Sequence, residues 1–200
     1  MIGEIGKWVL IVIGGGIGYT ILYIVGWQVL ASIAPEAVEK YNLYFVTKDV
    51  KKYFGFLLDK GYTITHTNYS YQQFGNWGVN LESEGCEIEL VQDRLELLLS
   101  LTPRKADARD GFSLGALIYF VTNGKVFIGL FEGNHSWGKK KQFERLANLL
   151  QEYHDKIVPY LDNSNPWESN FPKYKDDLIA TQKKYNAFLM ADYRERHMRR

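Results

Sequence analysis

The feature that most constrains this chain is an uncharged stretch near its amino terminus. The 27 residues from Trp8 to Ala34 contain no charged side chain. A helix of about 20 apolar residues crosses the roughly 30 Å hydrocarbon layer of a bilayer. Trp8 and Trp27 stand 19 residues apart, which suits interfacial anchors at the two sides of a membrane. The sequence therefore predicts a single transmembrane helix over about residues 8–34, with the lipid bilayer as a partner.

Glycines within this stretch suggest a second interpretation, a dinucleotide-binding turn. That turn needs Gly-x-Gly-x-x-Gly, but the frame from Gly14 ends on Tyr19 and the frame from Gly16 ends on Ile21. Gly14 and Gly18 instead match Gly-x-x-x-Gly, the spacing at which two membrane helices pack closely. The sequence thus predicts a helix-packing contact, either with a membrane protein partner or in a homodimer. The general abundance of glycine in membrane helices is the alternative.

Flanking charges predict the orientation of the segment. Lys7 precedes it, whereas Lys40, Lys48, Lys51 and Lys52 follow it within about 20 residues. By the positive-inside rule, the domain after the helix is expected in the cytoplasm of a single-pass membrane protein. A cleaved signal peptide is disfavoured, because Pro35 would directly follow the cleavage site.

Composition limits the remaining function classes. The net charge is +1, which argues against nucleic acid as a partner. Charge is nevertheless uneven, because residues 171–200 carry eight Lys or Arg and four acidic residues. The basic tail formed by Arg194, Arg196, Arg199 and Arg200 is expected to touch anionic lipid or an acidic subunit, or to be solvated.

Residues after the anchor predict an α+β domain. Strand patterns lie in GYTITHTNY, NWGVNLES, CEIELV and RLELLLSLT, with turns at Glu84–Gly85 and Asp93–Arg94. Helical patterns follow, at residues 114–124, 139–161 and 172 onward. The prediction is an antiparallel sheet of about four strands packed by helices, with residues 1–35 as anchor, 36–162 as domain, and 163–200 as linker and basic amphipathic helix.

Helix starts are also predicted from capping residues. Thr47 is expected to cap a helix that places Val50, Phe54 and Leu57 on one face and closes at Gly61. Ser113 is expected to cap the helix that follows it.

The stretch GNHSWGKKK, residues 133–141, resembles a phosphate-binding loop in outline only. Lys140 stands where that loop requires Ser or Thr to hold magnesium, so nucleotide hydrolysis is disfavoured. Lysines are unfavourable at a helix start by about 0.3–1 kcal/mol each. The sequence therefore suggests an anion site formed by Ser136, Lys139, Lys140 and Lys141, with a solvated basic turn as the alternative.

Catalytic and metal-binding patterns are not apparent in the sequence. The single cysteine, Cys86, falls on the apolar face of its strand and is interpreted as buried rather than nucleophilic. His66, His135, His154 and His197 do not form a zinc motif, so we expect no metal and no cofactor. The Gly-x-Ser-x-Gly elbow of hydrolases is absent. Glu82, Glu84, Glu87 and Glu89 form an acidic edge that protects a sheet edge or faces a basic partner.

These observations favour a non-catalytic, membrane-anchored binding or assembly protein, such as an accessory subunit. The alternative is a membrane-tethered sensor or enzyme for a phosphate or nucleotide ligand that uses residues 133–141. A third hypothesis is a small immunity-type or defence protein.

Overall fold

The computed structural model describes residues 34–70, 75–94, 96–104, 111–128, 138–163 and 170–198. In these ranges the fold class is α+β, as the sequence predicts. In chain order the elements are α1 (Pro35–Tyr53), α2 (Gly55–Asp59), β1 (Thr63–Ser70), β2 (Asn76–Glu82), β3 (Cys86–Asp93), β4 (Glu96–Pro103), β5 (Phe112–Ser113), α3 (Leu114–Val121), α4 (Lys139–Leu161) and α5 (Phe171–Met198).

The strands form one antiparallel sheet in the order β1-β2-β3-β4-β5. Both predicted hairpins are confirmed, because β2 pairs with β3 and β3 pairs with β4 across the expected turns. The prediction of about four strands missed β5, which pairs Phe112 with Leu101 and Ser113 with Ser100. A two-residue strand is too short to show any alternation in the sequence.

Alternating residues give the sheet one buried face and one polar face. Trp77, Val79, Ile88, Leu90 and Leu99 are buried, whereas their strand neighbours, apart from the buried Gly78, are partly or fully exposed. The helix α4 packs against the buried face, where the Phe143 ring stacks on Trp77 at 5.9 Å. The Leu97 amide donates a hydrogen bond of 2.9 Å to the buried Gln142 side chain. This layered arrangement buries the apolar stripe of α4 that its helical spacing predicts.

The amino-terminal half of the fold differs from the sequence prediction at Thr47. The helix α1 runs from Pro35 to Tyr53, so Thr47 lies inside it and caps nothing. A capping residue is recognisable only where the preceding residues cannot be helical, and residues 35–46 contain no interior breaker. The chain breaks instead at Phe54, which is buried, and Gly61 ends α2 with a φ of 87°.

The carboxyl-terminal helix α5 packs on α3 and β5. Its Leu178 and Tyr185 are buried, and the Tyr185 hydroxyl donates to the carbonyl of Ile128. The Ser113 amide donates to the Gln182 side chain at 3.0 Å. The Ser113 hydroxyl also accepts from the Ala116 amide at 3.3 Å, which confirms that Ser113 caps α3.

Contacts divide the chain into two units, with the boundary between Asn42 and Leu43. The sheet, α2 to α5 and the groove described below belong to the second unit. In the part of the chain that the structure describes, no helix is both long enough and apolar enough to cross a bilayer. Trp8, Gly14, Gly18 and Trp27, which define the predicted transmembrane helix, lie outside the described residues.

Candidate binding groove

A surface groove opens between α3, the end of α4 and the first half of α5. Its volume is about 540 Å³, within the range of about 300–1,000 Å³ that ligand pockets occupy. A neighbouring hollow of about 450 Å³ shares Val121, Tyr160 and Tyr174 with it. The two hollows adjoin at these shared residues, and we call them together the aromatic groove.

Four half-buried aromatic side chains form its walls, namely Tyr119, Phe120, Tyr160 and Tyr174. Phe120 and Tyr160 meet edge to face at 5.2 Å between ring centroids, and Tyr160 and Tyr174 do so at 4.8 Å. Edge-to-face contacts of this kind hold rings at defined angles and contribute about 0.5–1.5 kcal/mol each beyond area burial. The walls of the groove are therefore already ordered by contacts among themselves.

Polar groups stand at the margin of the groove. Asp177 and Lys184 are exposed and lie two turns apart on α5, and Thr181 lies between them. The Lys184 ammonium is 5.8 Å from the centroids of both the Tyr119 and Phe188 rings. One acidic and one basic group beside the aromatic rings suit a ligand that has both apolar and polar groups.

The turn after α3 closes one end of the groove. Asn123 and Gly124 both adopt positive φ, at 51° and 78°. A Cβ atom on Gly124 would approach the Tyr119 hydroxyl to 3.0 Å and its ring carbon to 3.1 Å. Glycine is therefore required here both by the backbone and by the close approach of the groove wall.

A buried polar chain lies elsewhere in the fold, between β3 and α4. The Tyr62 hydroxyl is 3.0 Å from the Cys86 sulfur and 3.1 Å from His154 Nε2. His154 Nδ1 is 2.7 Å from the Asp155 carboxylate, which also pairs with Lys60 at 2.6 Å. The available donors and acceptors fix the direction of each hydrogen bond. Lys60 and His154 Nδ1–H donate to the Asp155 carboxylate. His154 Nε2 then accepts from the Tyr62 hydroxyl, which in turn accepts from the Cys86 thiol.

Burial determines what this chain of hydrogen bonds is able to do. Cys86, Tyr62 and His154 are 0%, 4% and 5% exposed. Burial raises the pKa of the Cys86 thiol, and it likewise raises the pKa of Tyr62, with a further contribution from Cys86. It lowers the pKa of His154, against the opposing hydrogen bond to Asp155. A neutral thiol without solvent access is a poor nucleophile, so this group of residues stabilises the core instead.

Lysines at the start of α4 have partners that the sequence did not reveal. Lys139 pairs with Asp49 of α1 at 2.9 Å and lies over the rings of Trp77 and Phe143 at 5.7 and 5.5 Å. Lys140 pairs with Glu144 at 3.6 Å, and Lys141 is exposed. The carboxylate of Asp49 thus offsets part of the unfavourable positive charge of three lysines at the start of α4. Ser136, the remaining residue of the suggested anion site, lies outside the described residues.

None of the other predicted site residues that the structure describes lines the groove. Arg194 is exposed on the last turns of α5, whereas the Arg196 side chain and residues Arg199 and Arg200 lie outside the description. Among the residues that the structure describes, no group of three His, Cys, Asp or Glu side chains is arranged to hold a metal ion. The predicted acidic edge falls on the polar face of the sheet, where Glu82 pairs with Arg104 at 3.7 Å and Asn80 donates to Glu87.

The chain matches no known protein family, no curated protein and no solved structure. Its function is therefore inferred from its own residues.

Sequence reasoning did not identify the groove. Tyr119, Phe120, Tyr160 and Tyr174 come from three helices and are up to 55 residues apart, so no local pattern joins them. The sequence did contain one indication of the groove. The helical spacing places Phe120 and Tyr160 next to the buried apolar stripes of their helices and not within those stripes.

Proposed function

We propose that this protein is a membrane-anchored, non-catalytic binding module that holds a segment of a partner protein in the aromatic groove. The observation that carries the proposal is the groove itself, with ordered aromatic walls from three helices and a first hollow of about 540 Å³. The anchor is the predicted transmembrane segment at residues 8–34.

The shape of the groove favours a peptide segment over a compact ligand. The second hollow adjoins the first at Tyr160 and Tyr174, and two adjacent hollows suit successive side chains of a peptide. Rings that stand at 78° and 88° to one another form slots for apolar or proline side chains, as in other aromatic-lined peptide grooves. Tyrosine hydroxyls and the Asn123 side chain are available to the peptide backbone of the partner.

Two observations support a non-catalytic role. The hydrogen-bonded groups Cys86, Tyr62 and His154 are buried, and none of them lines the groove. Among the described residues that line the groove, the ionisable groups besides the tyrosines are Asp177, Lys156 and Lys184, and all three are exposed. Catalytic groups are usually enclosed by burial or held by close charge partners, whereas these three side chains are exposed.

The test is capture of the partner by the full chain, solubilised in mild detergent from membranes of its native host. Thr181→Trp places an indole inside the groove, and Lys183→Trp places the same side chain on an exposed neighbouring position. We expect one partner to be enriched by the wild type and by Lys183→Trp, and to fall at least tenfold with Thr181→Trp. An equal yield with all three proteins would overturn the groove as the binding site.

The anchor is tested on the same membranes. Alkaline carbonate releases peripheral proteins and leaves integral ones in the pellet. The wild-type chain is expected in the pellet, and release into the supernatant would contradict the anchor without affecting the result for the groove.

A further inference from the structure

The outer face of α1 combines aromatic and basic side chains. Val46 and Val50 are buried, whereas Tyr44 is 64% exposed and Phe45 is 44% exposed. Helical spacing places five residues together on the side opposite the buried valines. We call this surface the α1 outer face; it consists of Tyr44, Phe45, Lys48, Lys51 and Lys52.

The aromatic pair is held in place on the surface of the helix. The Tyr44 and Phe45 rings meet edge to face at 5.3 Å between centroids, while both side chains remain substantially exposed. Exposed aromatic pairs beside lysines are typical of helices that lie at a membrane interface, where rings sit at the level of the headgroups.

The charge of this surface is positive. Residues 43–53 contain Lys48, Lys51 and Lys52 against a single acidic residue, Asp49. The carboxylate of Asp49 is 2.9 Å from the ammonium of Lys139 on α4. Because Lys139 compensates Asp49, the lysines of the α1 outer face keep their positive potential. The Asp49–Lys139 pair also brings the lysine-rich start of α4 beside this face.

The uncharged stretch before α1 indicates which partner contacts the α1 outer face. The uncharged stretch ends at Ala34, and α1 begins at the next residue. Tyr44 follows Ala34 by ten residues, which is about 15 Å along a helix, so an anchor at residues 8–34 leaves the α1 outer face within reach of the lipid headgroups.

We infer that the α1 outer face binds the anionic surface of the bilayer in which the chain is anchored. Tyr44 and Phe45 insert among the headgroups, and Lys48, Lys51 and Lys52 bind lipid phosphates. This inference rests on the proposed anchor. It gives the second unit a contact with the membrane in addition to the proposed anchor.

The experiment uses the full chain reconstituted in vesicles and a fluorophore that reports on its surroundings. Phe45→Cys provides the labelling position, since the native Cys86 is fully buried and does not compete. Glu89→Cys, exposed on the polar side of the sheet away from the helices, is the matched control. Vesicles contain phosphatidylcholine alone, or phosphatidylcholine with about one third phosphatidylglycerol, and a quencher attached to lipid.

We expect strong quenching and a blue shift at position 45 in the anionic vesicles, and little of either at position 89. Substituting Lys48, Lys51 and Lys52 by Gln in the Phe45→Cys chain should reduce the ratio of docked to undocked protein about fivefold per lysine, roughly a hundredfold in all. A probe at position 45 that remains in water in anionic vesicles would overturn the inference.

Two further outcomes separate this inference from the proposed function. A chain that resists carbonate extraction but shows no quenching contradicts only the inference. A chain that carbonate strips from the vesicles contradicts the anchor and the inference together. Equal quenching in neutral and anionic vesicles, or a blue shift that requires a second copy or another protein, also overturns the assignment to anionic lipid.

Discussion

The Tyr62 hydroxyl lies between the Cys86 thiol and the His154 ring, and it satisfies both inside the core. The sequence predicts that Cys86 is buried, because the residue alternates with Glu87 on a strand, and this prediction is confirmed. It does not predict the partners, because Tyr62 and His154 are separated by 92 residues and no local pattern joins them. Polar pairing across a core depends on the final packing.

Removing this hydroxyl tests the buried chain. Tyr62→Phe leaves His154 Nε2 and the Cys86 thiol without their shared partner, at a cost of about 1–3 kcal/mol in the free energy of unfolding. Urea unfolding measures this loss. Tyr44→Phe, on the exposed surface of α1, is the control and should change stability by less than about 0.5 kcal/mol. Equal effects of the two substitutions would mean that the buried hydroxyl contributes nothing.

Titration of His154 gives the fold a pH dependence. Burial holds the pKa of His154 below its ordinary value of 6.5, so the unfolded chain binds more protons than the folded protein below that pH. This stability is fully present above about pH 6.5 and is lost as the pH falls through the lowered pKa. The pKa of Asp155, lowered by Lys60 and then by His154, adds a loss in the same direction at more acidic pH.

The expected observation is a urea midpoint that falls between about pH 8 and about pH 5. His154→Phe should be less stable at the higher pH but should flatten this dependence. His66→Asn, at an exposed position of β1, should retain the wild-type dependence. An unchanged pH profile in His154→Phe would assign the effect to other groups.

Among secondary-structure elements, long periodic segments were predicted well and short ones poorly. The spacing of Phe143, Leu146, Leu150 and Ile157 identifies α4 because a 23-residue helix repeats its buried stripe several times. The two-residue β5 has no such repeat, and Thr47 inside α1 resembles a cap only when α1 is assumed to start there. Boundaries are decided by packing partners, which the local sequence does not contain.

The contact between α1 and α4 yields a further prediction. Lys139→Ala removes the ion pair with Asp49 and the contacts with two rings, at an expected cost of about 0.5–1.5 kcal/mol. Lys140→Ala is the matched control, since it also removes a positive charge from the helix start but loses only the exposed pair with Glu144. A double-mutant cycle with Asp49→Ala should show coupling for Lys139 alone. Equal costs and no coupling would contradict a link between the two helices.

The two sides of the sheet in the second unit differ, and no single segment of the sequence shows this difference. One side of the sheet is covered by helices, and those helices meet at the aromatic groove. The groove was not predictable from sequence, because it consists of the residues left over when α3, α4 and α5 bury their stripes. The sequence contributes the predicted anchor, the α+β class and the absence of a recognisable catalytic motif.

The most direct measurement is site-specific photocrosslinking in native membranes. A photoreactive phenylalanine analogue is placed at Thr181 inside the groove, or at Ser100 on the polar side of the sheet as a control. We predict one discrete crosslinked product from position 181 in the membrane fraction, lost when Tyr174→Ala is added, and no product from position 100. Similar products from both positions, or a product from position 181 that survives Tyr174→Ala, would contradict the groove as the binding site.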